Sequence, residues 1–143
     1  MSQFPMEATT TEAQAAIADE FSLFSDWSER YQYLIDLGKK LPPLDDAFKT
    51  DQYRLHGCQS NVWITDRFED GLMHFEAASD STIVSGLIFL ALRVYSGRTP
   101  EAILSTTPDY VRGIGLERHL SPTRSNGHAA LLQFIQDRAG AAR

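Results

Sequence analysis

The sequence predicts an α+β fold in which helices pack on a small antiparallel sheet. Three observations carry this reading. Apolar residues recur at helical spacing near both ends of the chain and over residues 81–95, the period switches to alternation over residues 62–77 around the turn signal "EDG", and no repeat, linker or low-complexity tract divides the 143 residues. That length suits one domain with one sizeable core. Residues 1–10, rich in Ser, Thr and Pro, are expected to form a flexible N-terminus ahead of a single domain over residues 11–143.

Each element has a local reason. Thr11 is placed to cap a first helix in which Ile17, Phe21 and Phe24 share a face, ending near Ser25. Asp26 then caps a second, with Trp27, Tyr31, Leu34 and Ile35 on one face, until Gly38, the basic pair Lys39 and Lys40, and "LPPL" stop it. Val62 and Ile64 begin a strand that turns at "EDG" into a second carrying Leu72, His74, Phe75 and Ala77, and Tyr53 to His56 is expected to add a third. Asp80 or Ser81 caps the most apolar helix, in which Ile83, Leu87, Leu90, Ala91 and Val94 form the core stripe before Ser96 and Gly97 close it. Thr99 and Pro100 open a short helix, "PDYVRGIGLERHL" holds another short helix and a turn, and Ser125 or Asn126 starts the last helix with Ala129, Leu132, Phe134 and Ile135 apolar.

Composition narrows the function. Thirteen basic residues against nineteen acidic ones give a formal charge of -6, which disfavours nucleic acid, since phosphate binding needs a positive surface. The longest apolar run, "IVSGLIFLALRVY", is interrupted by Ser85, Gly86 and Arg93 and is too short to span a bilayer, so no membrane partner is expected. The single cysteine, Cys58, excludes an internal disulfide framework and any metal site of paired cysteines, and it fits a reducing compartment, with the cytoplasm as the default location.

Cys58 also has the widest chemical scope. Most lone cysteines are small buried hydrophobes. Here Gly57 permits unusual backbone geometry, and Gln59, Ser60 and Asn61 are polar and turn-forming, which places Cys58 on a loop at the sheet edge, where functional thiols are found. Backbone N–H groups after Gly57 and the neighbouring His56 are the local means of favouring a thiolate. The other histidines, His74, His119 and His128, are scattered and lack the spacing of a zinc site, so no metal is assigned. Arg124 falls near the start of the last helix, where an ordinary solvated cap is the plainer reading, and "SDSTIVSG" likewise reads as a capped helix start.

Taken together, four motifs resemble the SufE family of cysteine desulfuration proteins, which serve iron-sulfur cluster assembly. They are "WSERYQYLIDLGKKLPPL", similar to a family helix with its "LGKxLPxL" ending, then "GCQSNVWI", "SDSTIVSGLIFLAL" and "HLSPTRSNG", in the family's order from about Trp27 onward. The resemblance implies a curved antiparallel sheet with helices packed on it, similar to IscU-type scaffolds. It implies that Cys58 accepts sulfur from the persulfide of a pyridoxal-phosphate cysteine desulfurase, stimulates that enzyme, and passes sulfur to an iron-sulfur scaffold complex. The chain would hold no cofactor, since the pyridoxal phosphate belongs to the partner, and a homodimer is compatible with the reading. Gly57, Gln59 and Ser60 would form the supporting loop, while Asp80 and Arg124, which match family motif positions, would brace that loop or contact the desulfurase. Persulfide chemistry also calls for shelter, which suggests a loop that tucks Cys58 into an apolar pocket and turns it outward in the complex. The alternatives are a paralogous SufE-like acceptor for another desulfurase, a cluster scaffold, which a single cysteine disfavours, and a thiol hydrolase or peroxidase using Cys58 with His56.

Overall fold

The computed structural model describes residues 4–56 and 60–142. Helices α1 (Thr10–Phe21) and α2 (Trp27–Lys39) are followed by two single 3-10 turns at Asp46–Phe48 and Asp51–Tyr53, a hairpin of β1 (Val62–Glu69) and β2 (Leu72–Ser79), and the central helix α3 (Thr82–Tyr95). Three short helices, α4 (Pro100–Leu104), α5 (Asp109–Gly113) and α6 (Leu116–His119), lead to α7 (Pro122–Ala142). The α+β class expected from the two periodicities is what the chain adopts.

Helix α3 is buried around almost its whole circumference, as expected of a helix apolar on every face. Helix α2 crosses it at unusually short range. A Cβ built on Gly86 would lie 2.1 Å from the Leu34 carbonyl oxygen, and one on Gly38 would lie 2.9 Å from the Gly86 nitrogen. Gly38 is therefore a packing residue in the last turn of α2, which ends at Lys39 within the stop expected over Gly38, Lys39 and Lys40.

The hairpin pairs Val62 with Ser79 through to Glu69 with Leu72, and its turn places Asp70 and Gly71 at φ 56° and 80°, the left-handed pair that matches strand twist. Val62, Ile64, Met73, Phe75 and Ala77 form its buried face. Leu72 and His74 point with Arg67 and Glu76 to the other face, since the buried register counts from Met73. After α3 the chain returns along β2, where the Met73 N–H donates to the Arg98 carbonyl at 2.8 Å and the Phe75 N–H to the Ser96 hydroxyl at 2.9 Å. The third strand expected at Tyr53 to His56 is reduced to one bridge between Arg54 and Trp63, since residues 51–53 coil into a 3-10 turn.

The segment before α1 also departs from expectation. Residues 4–9 are packed rather than frayed: Phe4 is buried edge-on against Phe89, 5.2 Å between ring centres, and the Glu7 carboxylate accepts from the buried Arg93 guanidinium at 2.6 Å. Arg93 also donates to Glu20 at 2.7 and 3.0 Å, and Arg98 donates to the Glu7 carbonyl at 2.7 Å. The hydrogen bond from Arg93 holds the Glu20 carboxyl below the usual carboxylate range, and Tyr33, which donates to Glu20, is raised by burial. Helix α1 accordingly starts earlier than a Thr11 cap would place it, with Thr9 as its cap.

Candidate functional site

The segment that enters β1 is tied to the start of α3. The Asp80 carboxylate accepts from the Asn61 backbone N–H at 3.2 Å and from its side-chain amide at 2.8 Å, while the Asp80 N–H donates to the Asn61 carbonyl at 3.3 Å. Ser81 is the residue that caps α3, its hydroxyl accepting from the Val84 N–H at 3.3 Å. Of the two cap candidates, Asp80 is thus left to hold Asn61, three residues beyond Cys58 in sequence.

Helix α7 approaches the same place. It begins at Pro122, earlier than the Ser125 or Asn126 expected, because Ser121 serves as its cap: the Ser121 hydroxyl accepts from the Arg124 N–H at 3.3 Å and its carbonyl from the Ser125 N–H at 2.9 Å. This start sets Arg124 in the first turn. The buried stripe is His128, Leu131, Ile135 and Ala139; of the other apolar residues noted from sequence, Leu132 and Phe134 pack partly buried against the core and Ala129 is exposed.

Between these pieces lies a cavity of about 30 Å³. Leu55, Val62, Val84, Leu87, Ile88 and Leu131 form its apolar wall, and Ser60, Thr123, Arg124 and His128 contribute the polar groups. Such a space takes about two water-sized groups, and walls of this composition favour an apolar occupant. Leu55 is held at the rim by its N–H, which donates to the Val62 carbonyl at 2.8 Å. His128 is buried and lies 3.0 Å from the Tyr110 hydroxyl, and burial lowers the imidazole to a pKa of about 4, leaving it uncharged at neutral pH. Burial raises Tyr110 well above its ordinary value, so this pair is neutral as well as hydrogen-bonded.

Of the residues singled out from sequence, Ser60 and Arg124 both line the cavity, and Asp80 holds Asn61, the chain neighbour of Ser60. Gly57, Cys58 and Gln59 lie outside the described residues. His56 is exposed, His74 sits on the outer face of the sheet opposite Arg67, and His119 stacks on Trp27 at 4.0 Å, so among the described residues only His128 of the four histidines lines the cavity. His128 and Tyr110 were not distinguished by sequence reasoning, although the spacing of His128 with Leu131 and Ile135 is that of one helix face. Among the described residues no group of three or more His, Cys, Asp or Glu side chains is placed to hold a metal ion, and no helix is long and apolar enough to cross a membrane.

The family model described as "SufE: Fe-S metabolism associated domain" matches residues 15–139. The chain belongs to the SufE family. Among its relatives, an uncharacterized SufE-like protein of Rhizobium meliloti is 38% identical over 128 residues, covering 86% of this chain and 91% of that protein. One from Synechocystis is 35% identical over 132 residues, covering 92% and 83%. The SufE-like protein 1 of Arabidopsis thaliana, named as chloroplastic/mitochondrial, is 40% identical over 111 residues, which are 77% of this chain but 30% of that longer protein. The fold is also that of a solution structure of a hypothetical protein from Thermus thermophilus, with a TM-score of 0.74, 25% identity, and coverage of 91% of this chain and 95% of that one. Membership ties this SufE protein to iron-sulfur metabolism.

Proposed function

We propose that the chain is a sulfur acceptor, taking sulfur onto Cys58 from the persulfide of a pyridoxal-phosphate cysteine desulfurase, stimulating that enzyme, and passing the sulfur to an iron-sulfur scaffold. The observation that supports it most is the small apolar cavity lined by Ser60, two residues after Cys58 in sequence and next to Asn61, which Asp80 holds. A two-residue tether spans at most about 7 Å, so the cavity is within reach of a sulfur carried at Cys58.

The step balances with no outside oxidant. The Cys58 thiolate attacks the terminal sulfur of the donor persulfide, an S–S bond forms at Cys58 as the one in the donor breaks, and the donor cysteine leaves as a thiolate. No second thiol exists in this chain to attack the new persulfide and release sulfide. A small space walled largely by aliphatic side chains and an uncharged histidine would limit the access of soluble thiols to a sulfur seated in it. The same reading gives Asp80 and Arg124 supporting roles, Asp80 through Asn61 and Arg124 at the cavity mouth.

The test is intact-protein mass spectrometry after incubation with a cysteine desulfurase, pyridoxal phosphate and cysteine in the absence of reductant. Addition of one sulfur, localised to Cys58 and absent from Cys58→Ser, is the expected result. A Cys58→Ser protein that still stimulates the desulfurase in full would refute the acceptor role.

A further inference from the structure

Of the polar side chains that line the cavity, Ser60 is partly exposed and Thr123 and Arg124 are exposed. His128 differs from them. It is 5% exposed and, among the described residues, is the one buried polar side chain in the cavity wall. A neutral imidazole keeps one N–H donor and one acceptor nitrogen, so the position of its proton decides what this wall offers to an occupant.

Tyr110 fixes that position. Its side chain is buried, its hydroxyl meets His128 Nε2 at 3.0 Å, and among the described residues the hydroxyl has no other partner. If Nε2 carried the hydrogen, the phenol O–H would be left without an acceptor in a dry place, which the opposite arrangement avoids. Tyr110 therefore donates to Nε2, and the imidazole proton sits on Nδ1. The two ring nitrogens point in nearly opposite directions, so with Nε2 aimed at Tyr110 on α5, Nδ1 faces away from α5, a helix that contributes no residue to the cavity wall. Among the described residues, the buried side-chain atoms left without a partner are Arg30 Nε and His74 Nδ1. The unpaired Nδ1–H of His128 is not one of them, and so it is open to adjoining space.

We propose that His128 is the hydrogen-bond donor for the sulfur this cavity receives: its Nδ1–H meets the terminal sulfur of the Cys58 persulfide, and Tyr110 is a positioning residue that fixes the tautomer. The inference rests on the sulfur-acceptor reading and adds to it the group that makes an aliphatic cavity fit a charged sulfur. A persulfide is a stronger acid than its parent thiol and carries its charge on the terminal sulfur, which walls of Leu, Val and Ile alone would push toward the neutral form. One N–H donated to the anion offsets that push. A neutral donor does so without bringing a second charge into the cavity, and Arg124 remains at the mouth as the exposed cation.

The test loads the full chain with sulfur from a cysteine desulfurase, removes small molecules, and follows alkylation of the persulfide against pH by intact-protein mass spectrometry. His128→Leu, similar in volume but without a donor, is expected to raise the apparent pKa of the persulfide by about one pH unit. His128→Asn, whose amide nitrogen can take the place of Nδ1, is expected to return it to near the wild-type value, and Tyr110→Phe, which frees the tautomer, to give a smaller rise. A histidine that served packing alone would be replaced better by Leu than by Asn, so the order of these two variants separates the roles, and their unfolding midpoints report the packing directly. The same persulfide pKa in wild type and His128→Leu, or a value in His128→Asn no nearer to wild type than that of His128→Leu, would overturn the donor role while leaving Cys58 as acceptor. A wild-type chain that no desulfurase loads would overturn both.

Discussion

Gly86→Ala adds one methyl group where α2 and α3 touch through their backbones. On an open helix surface the change would stabilise by about 1 kcal/mol, since alanine is the better helix former. At Gly86 the new carbon would sit 2.1 Å from the Leu34 carbonyl oxygen, 2.7 Å from the carbonyl carbon and 3.1 Å from the Leu34 Cα, all main-chain atoms with no rotamer to change. Ordinary contacts between carbon atoms lie at about 3.5–4.0 Å, so α2 must move by roughly 1 Å or more. That separation opens the packing of Leu34 and Leu37, both buried, against α3. Overpacking of this kind costs about 1–3 kcal/mol and more where backbone must shift, which outweighs the gain in propensity. The expected result is a net loss of about 3 kcal/mol, or a fall of about 10 °C in melting temperature for a chain of this size. Denaturant unfolding with a fixed m-value measures it, and Gly140→Ala is the control, because a Cβ there meets nothing within 4 Å and should be neutral or slightly stabilising. Equal or higher stability of Gly86→Ala, with the control behaving as expected, would refute the backbone contact.

Three further outcomes are expected. His128 titrates at about 4 in the folded chain and near 6.5 when unfolded, so its stabilising contribution is complete above pH 6.5 and is lost as the pH falls toward 4, by up to about 3 kcal/mol. Stability measured against pH in wild type and His128→Phe should show the difference between them shrinking over that window. Arg93→Met leaves the Glu7 and Glu20 carboxylates facing one another without their shared cation, and should cost about 3–5 kcal/mol by urea unfolding, with part of the loss recovered at acid pH as the carboxylates protonate. Asp80→Ala removes two hydrogen bonds to Asn61 at an exposed site, so stability should fall by no more than about 1 kcal/mol while the alkylation rate of Cys58 changes several-fold; an unchanged rate would count against Asp80 as a brace.

Much of the fold was legible because its signals are local. Asp26 and Thr99 cap helices as their types predict, Pro100 occupies the first turn of α4, and the alternation around Asp70 and Gly71 is a hairpin. The features that were not legible depend on distant partners. Phe4 and Glu7 look like residues of a loose end until Phe89 and Arg93, more than eighty positions away, supply the surface that orders them. Gly38 reads only as part of a stop until Gly86 shows it to be a contact as well. In α7 the apolar residues are spread widely enough around the helix that two stripes compete, and only the position of α3 selects the one containing His128. The site divides the same way. Ser60, Asp80 and Arg124 stood out through motif and resemblance, whereas Leu55, Tyr110 and His128 join it only because the chain folds back.

Helix α3 links these parts, since its two ends do different work. Its first turns carry Val84, Leu87 and Ile88 into the cavity wall, and its last turns anchor the ion cluster at Arg93 and the return of the chain along β2 at Ser96. Between them Gly86 meets α2 with no side chain to absorb a change. The spacing of α3 from α2 is therefore set by backbone contact rather than by adjustable packing. The ion cluster at the far end binds residues 4–9 and α1 to α3 through Arg93 and Arg98.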